Sequence, residues 1–388
     1  MKSKPELIVF SQNLMGGGSS FHRNMLTNKP DDFFDIKCIY LDPLHWAAKR
    51  LDDVKFEKND VVFEFKEEPY NEIAKRLNEH ISNRQGAIVA NLPQELITLS
   101  YFPKPNKTVY FICHDKGFLP LTKQFDEVID VFIAHNFEVY NDIKTLLPHR
   151  IKDIHFIQHG VKIQHVIRKI NDSKNLNLVF LARHVKSKGI YDLPKINQFL
   201  VDKNINVNWT ILGDGEEREK FMKQMSSVPN FSFKIPKTTD EVITVLKDQD
   251  IYILPSSHDG LPVSLLEAMS VGCVPIVYNF SEGIKNVITN DIGFVVDLDD
   301  VKAIADKIEL LNNERNLLFK WSKNGVEKVE KEFNIKNQAK VYFDLYKNYK
   351  INKKKIKWTF SGFKKRFLNY KVVNVLLKPL RMLKSRLK

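Results

Sequence analysis

The chain has 388 residues, 43% of them hydrophobic and 28% charged; this composition excludes global disorder, and the length exceeds one ordinary hydrophobic core, so two domains of about 150–200 residues are expected. No apolar run approaches the ~18 residues of a membrane span, and Cys38, Cys113 and Cys273 lack metal-ligand or redox spacing and read as buried, reduced thiols. The net charge of +13 belongs to the carboxyl end: residues 351–388 hold 13 Lys/Arg and no Asp or Glu, which leaves 47 basic against 47 acidic residues elsewhere.

The opening "MKSKPELIVFSQN" has an apolar core too short for a signal peptide and no small-residue cleavage site, so a cytoplasmic chain is expected. Its strand "LIVFSQ" leads into Gly16, Gly17 and Gly18, with a helix expected from Ser19 or Ser20. Glycines there let a phosphate approach backbone N–H groups at a helix start, although a tight strand-to-helix turn explains them equally well. The pattern is not G-x-G-x-x-G, and the next strand, "IKCIYLDPLHW", offers only Asp42, expected in a loop, so a dinucleotide site has little support. The runs "AIVANL", "TVYFICHD", "DVFIAHN" and "IHFIQHGV" follow, separated by helical patterns. After the polar stretch 161–175, expected to be an interdomain hinge, come "NLVFLAR", "NVNWTILGDG", "DIYILPSS" and "VPIVYN". Short apolar strands alternating with helices predict an α/β fold of parallel βαβ units, with ligands beyond the carboxyl ends of the strands.

Three such ends in the second half carry polar groups. Arg183 and Lys188, in "ARHVKSKGIYDL", are cations able to converge on a pyrophosphate, or else a solvated basic loop. In "ILGDGEEREKF", Gly213 and Gly215 are expected to shape a cleft floor, while Glu216 and Glu217 suit the positive end of a helix. In "HDGLPVSLLEAM", Asp259 precedes the turn Gly260-Leu261-Pro262 and Glu267 lies inside a helix expected from about Val263. Asp297-Leu298-Asp299 reads as the cap and first turn of a helix rather than as a metal motif.

The order of "GGGSS", "FICHD", "QHGV", "ARHVKSKGIYDL", "LGDGEERE" and "SSHDGLPVSLLEAMSVGCVPIV" resembles the retaining glycosyltransferases of family 4, over nearly residues 5 to 350. The resemblance implies a GT-B fold, two Rossmann-like domains facing a central cleft. It further implies that Glu267 accepts hydrogen bonds from the ribose of a nucleotide-sugar, that Asp259 holds hydroxyls of the donor sugar, and that the amides around Leu261, Pro262 and Val263 cradle sugar and phosphate. Arg183 and Lys188 would neutralise the diphosphate, Gly16 and Gly17 would approach it from the other lobe, Gly213 and Gly260 would line the site, and His114 would face the transferred sugar. No metal or other cofactor is expected. Asp259 stands where the family has Glu, and His135 stands where serine is common and receives no role.

The tail repeats Phe367, Tyr370, Val373, Leu377 and Leu380 at helical steps among lysines and arginines, broken near Pro379. Phosphate contacts of a nucleic acid would suit its charge. Trp358, Phe360, Phe363 and Phe367 suit an anionic membrane surface better, and nucleic acid is not expected as a partner.

The expected divisions are an acceptor domain at 1–165, a nucleotide-sugar domain at 166–335, a returning helix at 336–350 and the basic tail at 351–388. The expected activity is transfer of a hexose-type sugar, from UDP as first expectation, to a glycan or lipid-linked acceptor at the inner face of the plasma membrane. A non-catalytic scaffold of the same fold is the alternative.

Overall fold

In β1 (Glu6–Gln12), Leu7, Ile8, Val9 and Phe10 are all fully buried. Successive side chains of a strand point to opposite faces, so burial of every one means that both faces of the sheet are covered. Ile8 and Phe10 enter one core with Ile39, Leu41, Ile88 and Phe111; Leu7 and Val9 enter a second with Cys38, Tyr40, Tyr110 and Ile112. The computed structural model from which these contacts come describes residues 4–14, 16–45, 57–164, 175–281 and 283–349. The basic tail and the middle of the expected hinge lie outside the described residues.

The other strands are β2 (Asp35–Pro43), β3 (Val61–Phe65), β4 (Gly86–Ala90), β5 (Lys107–Cys113), β6 (Val131–Ala134), β7 (Ile154–Phe156), β8 (Leu176–Leu181), β9 (Val207–Leu212), β10 (Phe231–Lys234), β11 (Ile251–Leu254), β12 (Val274–Tyr278) and β13 (Phe294–Val296). They form two parallel sheets, ordered β3-β2-β1-β4-β5-β6-β7 and β10-β9-β8-β11-β12-β13. Each order reverses beside the sheet's first strand, β1 or β8, the crevice position at which open α/β sheets bind ligands. The α/β class and the two-sheet GT-B architecture are therefore as expected.

Sequence patterning passed over β3, β10 and β13. All three are sheet edges in which only some side chains are buried, so none shows the continuous apolar run of a central strand. Asp42, expected in a loop, is instead a buried residue of β2 that accepts a hydrogen bond from Asn13 Nδ2 at 3.1 Å.

The helix Ile335–Lys347 returns to the first domain. Tyr342, Phe343 and Tyr346 are buried in the core of Leu7, Val9 and Tyr110, and each aromatic of this kind hides roughly 150–250 Å², worth at most about 4–6 kcal/mol. The crossover is stitched by Val161 N to Phe333 O (2.8 Å) and Ile335 N to Val161 O (3.0 Å). A side chain at Gly160 would come within 2.7 Å of Phe333 O, so this close passage requires glycine. His135 has a structural task here. Its Nδ1 lies 3.1 Å from Ile157 O and 2.9 Å from the Tyr342 hydroxyl, which itself donates to Ile157 O at 2.8 Å, fastening the returning helix to the end of β7.

Candidate active site

The site is assembled from strand ends of both domains. On the first-domain side, β1 runs into the helix Gly17–Thr27, which starts two or three residues earlier than expected because Ser20 N already bonds Gly16 O at 3.0 Å. Gly16 and Gly17 are exposed, and open space lies beside Gly16 and Gly18. A Cβ on Gly17 would sit 3.6 Å from Val263 of the other domain, an ordinary contact. Space, rather than steric necessity, is what these glycines leave at the helix start.

One turn on, Phe21 is surrounded by four imidazoles. Its ring centroid lies 4.8 Å from His22 and from His135, and 6.1 Å from His114 and from His159. Burial pushes the histidine pKa values down, to about 4 for His22 and His159 and about 3 for His114, where neighbouring His22 and His159 add to the effect. His135 lies well below its usual value for the same reason. All four are therefore neutral in a protein at ordinary pH. His22 Nε2 and His114 Nε2 both meet the side-chain oxygen of Asn91, at 3.0 and 3.1 Å. Asn91 follows β4, and its backbone N–H donates to the Glu95 carboxylate. Glu95 also accepts from Leu92 N at 2.9 Å and is fully buried, which raises its pKa to about 8.

On the second-domain side, Arg183 follows β8 with its side chain exposed and in no hydrogen bond or ion pair with the described residues, while its carbonyl accepts from Val185 N at 2.9 Å. Lys188 closes a short turn, Lys186–Lys188, after which Gly189 takes the left-handed conformation (φ 73°). A Cβ there would lie 1.9 Å from Pro255 O, so glycine lets this loop press against the loop after β11. Ser256 Oγ and Ser257 N complete the junction by donating to Ser187 O at 3.1 and 2.9 Å. The result is that Lys188 Nζ reaches the Asp259 carboxylate and forms an ion pair. Gly213 (φ 126°) ends β9, where a Cβ would meet Ala182 O at 2.2 Å; its role in this geometry is to let β8 and β9 end side by side beneath Arg183.

The turn after Asp259 joins the domains. A Cβ on Gly260 would lie 2.5 Å from His114 O, and Leu261 O accepts from His159 Nε2 at 2.7 Å. Helix Val263–Ser270 begins directly after Pro262. Glu267 is 8% exposed, and burial raises its pKa to about 7, opposed by the positive charge of Arg23 from the first domain. Thus Gly17, His114, Lys188, Asp259, Gly260, Leu261, Val263 and Glu267 converge at the interface. Asp259 and Lys188, expected to act on different parts of a ligand, are bound to each other.

Sequence reasoning missed Asn91, His22, His159 and Glu95. Asn91 ends a strand and was findable by position; His159 lay in the "QHGV" motif without being given a role, and His22 carried no signal beyond residue type, because only folding packs it on Phe21. Asp297-Leu298-Asp299, expected to be the cap and first turn of a helix, instead precedes it: the cap is Asp300, whose side chain accepts from Ala303 N at 2.8 Å, and Asp299 is left-handed (φ 63°).

Residues 163–328 match the family model described as "Glycosyl transferases group 1". CapM of Staphylococcus aureus, a capsular polysaccharide biosynthesis glycosyltransferase, is 28% identical over 42% of this chain and 43% of its own length. The UDP-Gal:alpha-D-GlcNAc-diphosphoundecaprenol alpha-1,3-galactosyltransferase of Escherichia coli is 26% identical over 56% of this chain and 60% of its own. The chain thus spans about half the length of the curated relatives it matches. Among solved structures, Alr3699/HepE of Anabaena in complex with UDP and glucose superposes with a TM-score of 0.68 at 12% identity, over 89% of this chain and 100% of that one, a likeness of fold. Residues 163–328 are thus similar to the glycosyl transferases group 1 family, and the two-sheet architecture is the fold of the solved GT-B neighbours.

Proposed function

We propose that the protein is a retaining glycosyltransferase that moves a hexose-type sugar from a UDP-sugar to a lipid-linked or glycan acceptor in cell-surface polysaccharide assembly. The observation that carries this reading is the interdomain junction at which the Lys188–Asp259 pair and the helix bearing buried Glu267 flank one glycine turn that rests on His114, with an exposed Arg183 on the loop that carries Lys188. The names of the relatives support the substrate classes: one uses UDP-Gal and a diphosphoundecaprenol acceptor, and the HepE structure holds UDP and glucose.

In the proposed reaction, the bond between the anomeric carbon and the diphosphate breaks, and the acceptor oxygen bonds to the same face of that carbon. The acceptor's proton passes to the departing diphosphate. Negative charge grows on the diphosphate as the bond stretches, so fixed cations at Arg183 and Lys188 lower the barrier more than they stabilise the bound donor. Glu267 would accept hydrogen bonds from the ribose, Asp259 would orient sugar hydroxyls and Lys188 together, and the backbone N–H groups of Leu261 and Val263 would face the phosphates with the helix start behind them. Closure of the domains excludes water that would hydrolyse the donor.

Contact with the inner face of the plasma membrane through residues 351–388 belongs to the same proposal, on their charge and aromatic content. Among the described residues no helix is long and apolar enough to cross a membrane.

The test is release of UDP from a panel of UDP-hexoses by the purified chain, with and without undecaprenyl-diphosphate sugars. Turnover that falls about 100-fold in Arg183→Ala supports the proposal; UDP binding without turnover on any acceptor supports the scaffold instead.

A further inference from the structure

The carbonyl of Phe10 can only accept a hydrogen bond, and it lies 2.8 Å from the side-chain nitrogen of Asn91. That contact orients the amide: its NH2 faces Phe10, so its oxygen faces His22 Nε2 at 3.0 Å and His114 Nε2 at 3.1 Å. An amide oxygen cannot donate. Both imidazoles must therefore carry a proton on Nε2, and in the neutral ring Nδ1 is then bare.

Resting on the glycosyltransferase reading above, we infer that Asn91 is a positioning residue that fixes the tautomer of His114, so that His114 Nδ1 faces the transferred sugar as an acceptor for one of its hydroxyls.

Two further observations support the assignment. His22 Nδ1 is sealed from solvent with no partner, a position that a lone pair tolerates far better than an unsatisfied N–H. His114 Nδ1 also makes no hydrogen bond with the described residues, yet it is not among the sealed atoms, and His114 as a residue is only partly buried. The same oxygen thus holds one ring as a sealed spacer and leaves the Nδ1 of the other outside the set of sealed atoms. Burial keeps both rings neutral, which rules out the imidazolium form that would also donate from Nε2. Asn91 is itself held at both ends, by the Phe10 carbonyl and by the Glu95 carboxylate on its backbone N–H.

The experiment is long-range proton–nitrogen NMR of the full chain labelled with 15N-histidine, with the two rings assigned by His22→Gln and His114→Gln. At neutral pH both rings are expected to show a protonated Nε2 and a bare Nδ1. A UDP-hexose should shift the His114 Nδ1 resonance, whereas UDP alone should not. Asn91→Ala should convert His114 to a mixture of tautomers and lower donor turnover about tenfold, the loss of one aligned hydrogen bond, with UDP affinity retained. A proton on Nδ1 of His114, a sugar-dependent shift at Nε2 instead of Nδ1, or an unchanged His114 spectrum in Asn91→Ala overturns the inference. The wild-type spectrum decides the tautomer even if that variant does not fold. The expected tautomer in a chain that binds no nucleotide-sugar would defeat the glycosyltransferase reading and leave the role of Asn91 in orienting His114 standing.

Discussion

Lys188 and Asp259, 71 residues apart in sequence, form a direct ion pair with their side chains 17% and 19% exposed. The cation expected at a diphosphate and the acid expected at a sugar are therefore one unit, and neither can be changed without releasing the other. Lys188→Met and Asp259→Asn should each reduce kcat/KM for the donor, and the double substitution should cost less than the product of the two. A coupling of about 1 kcal/mol or more is expected from a double-mutant cycle; additivity within about 0.3 kcal/mol would show that the two groups act separately.

Arg183→Ala separates chemistry from folding. The side chain is exposed and has no partner among the described residues, so thermal unfolding should move by less than about 0.5 kcal/mol. Donor turnover should fall about 100-fold, the scale for removing one fixed charge-stabilising group. Unfolding curves and initial rates on the same preparation check both halves.

Gly260→Ala should force the domains apart. Its Cβ would meet the backbone oxygen of His114 at 2.5 Å, whereas a Cβ on Gly16 meets nothing within 4 Å and Gly16 has an extended backbone (φ 162°). A loss of about 1–3 kcal/mol is expected for Gly260→Ala and none beyond about 0.5 kcal/mol for Gly16→Ala. Denaturant titration compares them, and equal stability of the two variants would contradict the contact.

The apo protein should lose stability as pH rises through weakly acidic to neutral values. Glu267 and Glu95 have folded pKa values raised from 4.5 to about 7 and about 8 by burial. The penalty is absent below about pH 4.5, where both states are protonated, and grows as the unfolded carboxyls ionise while the folded ones do not. For Glu267 it reaches on the order of 2–3 kcal/mol by neutral pH. Glu267→Gln should flatten part of the slope and Glu95→Gln the rest, read by denaturation across pH.

Donor binding should run the other way. If the Glu267 carboxylate accepts ribose hydroxyls, affinity for a UDP-hexose rises as pH passes about 7, and binding below that pH releases a proton. The clustered histidines do not interfere, because those with values near 3 and 4 are already neutral. Calorimetry in buffers of different ionisation enthalpy measures the proton release, and Glu267→Gln should abolish it.

Truncation before Ile351 should leave UDP-hexose hydrolysis unchanged and remove sedimentation with phosphatidylglycerol vesicles. Binding of the full chain to phosphatidylcholine vesicles should be weak at moderate salt, since most of the expected affinity is electrostatic. Equal binding to both vesicle types would refute the electrostatic reading.

Local chemistry made much of this protein legible from its residues. Central parallel strands are apolar throughout because both faces are covered, so β1, β4, β5, β8, β11 and β12 announced themselves and placed Arg183, Lys188, Asp259 and Glu267 near strand ends. Edge strands β3, β10 and β13 did not, since side chains that need not be buried leave no continuous run. What only the tertiary structure decided is who meets whom. The Lys188–Asp259 pair needs Gly189 to fit under Pro255. The histidine cluster needs segments around residues 22, 114, 135 and 159 to close on Phe21. The tautomer of His114 follows from a carbonyl on β1, an amide after β4 and a ring after β5. A hydrogen bond has a direction and a partner, and sequence spacing specifies neither until the sheet aligns the strand ends.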